Sequence, residues 1–144
     1  MRIVLDTNIL IAAALKSGLA EDILDMAATT SLVAFITSED ILEELREKLL
    51  NKFNWSKERI DFFVQELCQI AEIVKVSEKV IIVTRDPEDN KILECAVSGW
   101  ADLIVSSDQD LIKLKTFKGI GIIHPKTLSW IFPQYFKRDD KLEK

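Results

Sequence analysis

Short apolar runs rich in β-branched residues recur along the chain, separated by longer amphipathic stretches. Such runs are typical of strands that are buried on both faces of a parallel sheet. The runs are short, as expected for the strands of a small domain. The pattern predicts strands at 3–5, 32–36, 73–76, 103–105 and 120–123, and a further extended segment at 80–83.

Helical spacing of apolar residues fills the intervals between these runs. Two intervals open with helix-start signals: Thr37-Ser38 offers a capping hydroxyl, and Asp86-Pro87 offers a capping carboxylate followed by proline at the first helical position. Gly18 and Gly99 are expected to close the helices that precede them. The predicted helices are 8–16, 20–29, 39–50, 56–72, 87–98, a short one after residue 108, and 125–131.

Strands that alternate with helices in this way indicate an α/β fold. We expect a three-layer α/β/α sandwich, in which helices cover both faces of a central, mainly parallel sheet. The length of 144 residues fits one domain, and we assign residues 1–136 to it. Residues 137–144 are mostly charged, and we expect them to form a frayed C-terminal tail.

The composition favours a folded protein of the cytoplasm. A hydrophobic fraction of 48% supports a packed core, and no stretch approaches the roughly 18 unbroken apolar residues of a membrane span. Asp6 and Asn8 interrupt the apolar N-terminal run, which argues against a signal peptide. Cys68 and Cys95 form no CxxC pair, so neither a disulfide framework nor a zinc site is expected, and both are interpreted as small core residues.

Charge is distributed unevenly along the chain. The formal net charge of −5 argues against a protein that binds nucleic acid through bulk positive charge. Residues 1–72 carry 7 basic and 13 acidic side chains, whereas residues 111–144 carry 8 basic and 3 acidic ones. The net charge therefore does not exclude a nucleic-acid substrate, and the positions of individual acids are more informative.

Aspartates follow two of the predicted strands at the points where the strands end. Asp6 comes directly after the first strand, and Asp108 and Asp110 come shortly after the strand at 103–105. In open parallel sheets, sites form beyond the carboxyl ends of the strands, near the position where strand order reverses. Aspartates in such positions also serve as helix caps or turn residues, so both interpretations stay open.

Two adjacent glutamates, Glu43 and Glu44, lie in the helix predicted after residue 38. Helical geometry places Glu44 about 115° from the centre of the apolar stripe and Glu43 about 145° from it. Glu44 is therefore the better candidate to reach a site beside the sheet. Alternatively, both glutamates are solvated and pair along the helix with Arg46 and Lys48, which follow at interacting spacings.

The helix predicted from residue 87 offers a similar choice. Asp89 precedes Ile92 and Leu93 at helical spacing, so it shares the side of the helix that should face the sheet. Asp86 is interpreted as the helix cap and Glu88 as a solvated residue. The alternative for Asp89 is a first-turn acid that favours the helix dipole and makes no functional contact.

Acids from four separate parts of the chain can thus converge on one edge of the sheet; they are Asp6, Glu44, Asp89 and Asp108. Clustered carboxylates repel one another and are costly to ionise together, and a divalent cation relieves that repulsion. Donor sets made only of oxygen favour Mg²⁺ or Mn²⁺ over zinc. A site of this kind is suited to the hydrolysis of phosphodiester bonds.

Four stretches of the chain together resemble the PIN-domain ribonucleases: IVLDTNIL, SEDILEEL, DPEDNKILECA and ADLIVSSDQDL. They stand in the family's order and span most of residues 2–112. Within the family, the chain is most similar to VapC-like proteins, which are described as toxin components of toxin–antitoxin systems. The resemblance implies a Mg²⁺- or Mn²⁺-dependent endoribonuclease that acts on RNA, is often a homodimer and has an antitoxin protein as partner.

The resemblance also assigns roles to individual residues by position. The catalytic, metal-binding acids are Asp6, Glu44, Asp89 and Asp108. Asp110 is expected to assist at the edge of the metal site. The residues expected to orient carboxylates or water through hydrogen bonds are Thr7, Asn8 and Ser106. Two of these assignments stay open. Glu43 could take the place of Glu44 in the family pattern, and Asp86 could take the place of Asp89.

An acid-free, lysine-rich stretch follows these acids and is a candidate to contact RNA phosphates. Its lysines are Lys113, Lys115, Lys118 and Lys126. The alternative for them is a solvated surface. Trp55, Trp100 and Trp130 could stack on bases, although we favour core or interface positions for them. His124 is interpreted as structural, because an all-carboxylate metal site needs no histidine.

Other classes of protein fit the acids less well. A haloacid-dehalogenase type of phosphoryl-transfer enzyme would need a second aspartate where Asn8 stands. A response-regulator receiver would need an acidic pair at the first strand and an aspartate after a middle strand, where the chain has Thr37-Ser38. A non-catalytic PIN-fold module that binds RNA or a partner protein remains the alternative to an enzyme, and loss of the acids would be its sign.

Overall fold

The part of the chain that the computed structural model describes, residues 1–77 and 87–136, contains a sheet of six short strands. The strands are β1 (Arg2–Leu5), β2 (Ala34–Thr37), β3 (Ala71–Ile73), β4 (Leu103–Val105), β5 (Thr116–Phe117) and β6 (Ile120–Ile123). Their order across the sheet is β3-β2-β1-β4-β6-β5. β5 pairs antiparallel with β6, and the other pairs are parallel.

Helices connect the strands and flank the sheet. They are α1 (Thr7–Ala14), α2 (Gly18–Thr29), α3 (Glu39–Asn51), α4 (Lys57–Ile70), α5 (Pro87–Ser98), α6 (Gln109–Leu114) and α7 (Pro125–Ile131), and a 3₁₀ helix follows at Pro133–Tyr135. The predicted α/β fold, with helices packed on a mainly parallel sheet, is confirmed. No helix in the described ranges is both long and apolar enough to span a bilayer.

β1 lies in the middle of the sheet and of the hydrophobic core. Ile3, Val4 and Leu5 are fully buried, because the strand has neighbours on both sides and helices on both faces. The chain proceeds from β1 to β2 and β3 on one side, whereas β4 and β6 lie on the other side. Strand order therefore reverses between β1 and β4, which is where open parallel sheets form their sites.

The first helix ends without the glycine that was expected to close it. Lys16 adopts the left-handed backbone conformation, with φ of 57°. Its amide donates to the carbonyl of Ala13 at 3.0 Å, and the amide of Ser17 donates to the carbonyl of Ala12 at 2.9 Å. These two bonds form a Schellman motif, in which glycine is usual at the position of Lys16. Gly18 is instead the first residue of α2.

The fourth helix is shorter than its amphipathic pattern predicts. The helix expected over 56–72 ends at Ile70, and the strand expected at 73–76 begins at Ala71. Ala71 stands opposite Phe35 in the parallel register of β3 and β2. Pairing with β2 thus draws two residues out of the helical pattern and into the sheet, because backbone groups at this edge gain hydrogen-bond partners there.

The strand expected to end at residue 76 ends at Ile73, and the remaining predicted boundaries agree with the structure to within two residues. β5 was not predicted, since a strand of two residues carries no alternating pattern. The extended segment expected at 80–83, the cap Asp86 and the tail 137–144 lie outside the described residues.

The two cysteines lie in different environments, so the prediction that both belong to the core is wrong for one of them. Cys95 is buried, and burial raises the pKa of its thiol to about 12. Cys68 is exposed. The core-facing side of α4 contains Val64 and Leu67, and Cys68 is turned about 70° around the helix axis from the midpoint between them.

The three tryptophans also differ in burial. Trp55 is 7% exposed, packs edge-on against Phe63 with ring centroids 6.1 Å apart, and carries the guanidinium of Arg59 3.7 Å from its ring centroid. Trp100 and Trp130 are 85% and 73% exposed. The structure therefore places Trp55 in the core and the other two indoles on the surface.

Candidate functional site

Asp6 lies at the carboxyl end of β1 and begins α1. Its carboxylate accepts a hydrogen bond from the hydroxyl of Ser106 at 2.5 Å and one from the backbone amide of Asn8 at 3.3 Å. The Asp6 side chain is 6% exposed. Burial raises the pKa of Asp6 above its ordinary value, against the opposing effect of the hydrogen bond from Ser106. Asn8 contributes through its backbone, and its side chain is exposed.

Ser106 connects the ends of β1 and β4. It is fully buried, and its hydroxyl donates to Asp6 and accepts from the backbone amide of Asp108 at 2.9 Å. Asp108 in turn caps α6, because one of its carboxylate oxygens accepts from the amide of Asp110 at 2.7 Å and from that of Leu111 at 3.4 Å. The structure thus shows Asp108 as a helix cap that also faces the site.

Three aspartates bring carboxylate oxygens together beside this pair of strand ends. One oxygen from each of Asp89, Asp108 and Asp110 lies within 4.8 Å of the other two. Asp89 is 4% exposed and stands in the first turn of α5, whereas Asp108 and Asp110 are half-buried. Asp110, which was expected to assist at the edge of the metal site, is one of the three.

The spacing of the trio fits a small divalent cation. Ligands on opposite sides of an octahedral Mg²⁺ are about 4.2 Å apart, twice the metal–oxygen distance, and the three oxygens lie within 4.8 Å of one another. The donor set is carboxylate oxygen alone, which suits Mg²⁺ or Mn²⁺ better than zinc. Asp89, Asp108 and Asp110 could therefore hold such an ion after a small closing movement of their side chains.

Glu44 enters the site from α3 and is 4% exposed, whereas Glu43 is exposed. The hydroxyl of Thr7 donates to one Glu44 oxygen at 2.8 Å, and the ammonium of Lys48 lies 3.3 Å from the other. Burial, followed by hydrogen bonding with the carboxyl group of Glu88, raises the pKa of Glu44 to about 7. Of the two adjacent glutamates, Glu44 is therefore the buried one, as the helical geometry favoured.

Lys48 and Glu88 complete this part of the site, and neither was assigned to it from the sequence. The Lys48 ammonium lies 3.5 Å from a Glu88 oxygen, and its side chain is only 20% exposed. Although burial acts to lower it, the charges of Glu44 and Glu88 raise the pKa of Lys48. Glu88 was expected to be solvated; its side chain is 44% exposed, and the packing of α5 against α3 also pairs it with Lys48. The spacing of four residues between Glu44 and Lys48 was the available signal.

The structure divides the lysines proposed for RNA contact between two edges of the sheet. Lys118 precedes β6 and lines a cavity of about 370 Å³ with Trp100 and Asp102, at the edge where β4 and β6 begin. The acids lie at the opposite edge, where β4 ends. Lys113 in α6 and Lys126 in α7 are exposed, and both of these helices begin at the edge that carries the acids.

His124 has a structural role. It stands between β6 and α7, and its Nδ1 accepts a hydrogen bond from the backbone amide of Lys126 at 3.1 Å. The imidazole therefore caps α7, which agrees with the interpretation from the sequence.

Comparison with known proteins supports the fold and identifies the family. A search of curated proteins returned no match. A chain in the crystal structure of VapBC2 from Rickettsia felis bound to a DNA fragment from their promoter has a similar fold, with a TM-score of 0.62 and 20% sequence identity. The match covers 86% of the present chain and 98% of that chain. A family model described as PIN domain matches residues 2–110. Since this match covers well over half of the sequence, the chain belongs to the PIN-domain family.

Proposed function

We propose that this PIN-domain protein is a metal-dependent endoribonuclease that hydrolyses RNA phosphodiester bonds. The observation that carries the proposal is the trio of Asp89, Asp108 and Asp110, whose oxygens converge within 4.8 Å at the edge of the sheet where strand order reverses. Ser106 connects this trio to the buried Asp6. PIN-domain membership supports nuclease chemistry for such a cluster.

The trio would hold Mg²⁺ or Mn²⁺, with Asp6 beside it. When bound, the ion would stabilise the negative charge that develops on the scissile phosphate. The chain itself supplies a fixed geometry: Ser106 holds the carboxylate of Asp6 and the backbone of Asp108, while Asp108 caps α6. Asp6, whose pKa is raised by burial, is suited to accept a proton from the attacking water.

Exposed lysines in and directly after the two helices that begin at the acid-bearing edge are the proposed contacts for RNA phosphates. Lys113 and Lys115 lie in and directly after α6, which begins at Asp108, and Lys126 lies in the first turn of α7. Their positive charges would attract the RNA backbone without reading its sequence. Lys118 would contact only RNA that extends to the opposite edge of the sheet.

We further propose that the protein acts in the cytoplasm as the toxin of a toxin–antitoxin pair. The support is the similarity of its fold to a chain of the VapBC2 complex. The proposed partners are an antitoxin protein and a second copy of the chain. Co-purification of the chain with the product of an adjacent gene, followed by loss of cleavage on adding that product, would test the pairing.

A cleavage assay tests the proposed activity. Single-stranded and structured RNA are incubated with the protein in the presence of Mg²⁺, Mn²⁺ or chelator. We expect cleavage that chelator abolishes, and that Asp6→Asn and Asp108→Asn each reduce at least about 100-fold. Glu43→Gln is the matched control, because Glu43 is an exposed acid on a neighbouring element.

Two results would contradict the proposal. Unchanged cleavage by the Asp6→Asn and Asp108→Asn proteins would show that the acids have no part in the reaction. RNA binding without cleavage by the wild-type protein, in the presence of either metal, would instead indicate the non-catalytic module.

A further inference from the structure

Lys48 places a positive charge inside the acidic site. Its ammonium lies 3.3 Å from Glu44 and 3.5 Å from Glu88, and the side chain is only 20% exposed. The same charge acts on Asp6, whose pKa it lowers. Lys48 therefore pairs at once with acids from α3 and α5, and serves both as a common counter-ion.

The acids consequently form two groups with different surroundings. In one group, Asp89, Asp108 and Asp110 bring oxygens within 4.8 Å of one another. In the other, the two oxygens of Glu44 are engaged by the hydroxyl of Thr7 and by the ammonium of Lys48. A second divalent cation beside Glu44 would have to displace the ammonium or approach a like charge.

We propose that the site binds a single divalent ion, held by Asp89, Asp108 and Asp110, because Lys48 occupies the second cation position beside Glu44 and Glu88. The inference rests on the proposed metal-dependent function and specifies its metal content. Glu44 then positions Lys48 and Thr7 and does not bind the metal. The metal ligands implied by the family resemblance are thereby reduced by Glu44. Lys48 is a positioning residue, since it acts through the acids around it.

Titration of metal-free protein with Mn²⁺, followed by calorimetry and by the loss of the free-ion electron paramagnetic resonance signal, tests this inference. We expect one ion per chain for the wild type. Lys48→Met removes the charge while keeping most of the side-chain length, and we expect two ions per chain. Lys48→Arg retains the charge and should bind one. The matched control, Lys52→Met, changes an exposed lysine that follows the same helix and should also bind one.

Variants of the acids give an independent readout. If the ion is held by the trio, Asp108→Asn should weaken Mn²⁺ binding by roughly 10-fold or more. Glu44→Gln should leave one ion bound with an affinity within about 3-fold of the wild type. Thermal unfolding in chelator establishes which variants are folded. Even when the Lys48→Met protein fails to fold, the wild-type stoichiometry still tests the inference, because two bound ions would overturn it.

Three results would overturn the inference. They are two ions in the wild type, one ion in a folded Lys48→Met protein, and loss of the single ion in Glu44→Gln. In each case chelator-sensitive RNA cleavage by the wild type would leave the proposed function intact. A wild-type protein that neither binds Mn²⁺ nor cleaves RNA would instead remove the proposed function, and the inference with it.

Discussion

At the scale of single residues, Thr7 fixes the orientation of Glu44 through a hydrogen bond of 2.8 Å between two buried side chains. Thr7→Val keeps the shape of the side chain but removes the hydroxyl that the carboxyl oxygen accepts from. We expect the free energy of unfolding, measured by urea denaturation near pH 8, to fall by about 1–3 kcal/mol. Thr7→Ser retains the hydroxyl, and its free energy of unfolding should fall by less. A Thr7→Val protein as stable as the wild type would show that this hydrogen bond contributes little.

Residue-level geometry could be predicted from the sequence only within one element. The angle around α3 correctly favoured Glu44 over Glu43, because the apolar stripe of a single helix fixes which positions are buried. The partnership of Lys48 with Glu88 could not be predicted, since it depends on how α3 and α5 pack against each other. The pattern within α5 correctly indicated that Asp89 is buried.

At the scale of elements, the end of α1 offers a stabilising substitution. Lys16 holds a left-handed backbone conformation that costs a non-glycine residue roughly 1–2 kcal/mol. Lys16→Gly removes this strain, and part of the gain is offset because glycine loses more backbone freedom on folding. We expect the free energy of unfolding to rise by up to about 1 kcal/mol. Ser17→Gly is the control, because Ser17 has an extended backbone with φ of −100°, and it should give no gain.

The elements that carry the acids were the most predictable part of the fold. The rule that sites form at the carboxyl ends of parallel strands correctly placed Asp6 and Asp108 at one edge of the sheet. Lys118 was grouped with the acids only because it follows them in the sequence, and the unpredicted hairpin of β5 and β6 carries it to the opposite edge. Proximity in sequence to Asp108 therefore did not imply proximity in space.

At the scale of the whole molecule, the buried acids make stability depend on pH. The pKa of Glu44 is raised to about 7 and that of Asp6 is also raised. Between about pH 4.5 and 7 these two acids therefore bind more protons in the folded chain than in the unfolded chain, and their contribution to the free energy of unfolding falls as pH rises. The lowered pKa values of Glu72 and Glu88 act below this window. In chelator, we expect Tm to decrease from about pH 5 to about pH 7.5.

Two comparisons separate the pH dependence caused by these buried acids from that caused by the other charged groups. Glu44→Gln should flatten the decrease in Tm, whereas Glu43→Gln, on the exposed side of the same helix, should preserve it. Mn²⁺ at about 100 times its Kd should raise the free energy of unfolding by roughly 2.7 kcal/mol at the upper end of the pH range. A Tm that rises steadily from about pH 5 to 7.5 in chelator would contradict the assignment of raised pKa values to these acids.

The parallel topology also determines when, during translation, the acids can come together. Asp6 and Ser106, which are hydrogen bonded in the folded chain, are 100 positions apart in the sequence. At translation rates of about 5–20 residues per second, roughly 5–20 s separate the appearance of the two residues. β1 cannot pair with β4 during that interval. A nascent chain therefore carries the first acids well before it has the cluster, and translation that stops before Asp108 yields a product in which the cluster never assembles.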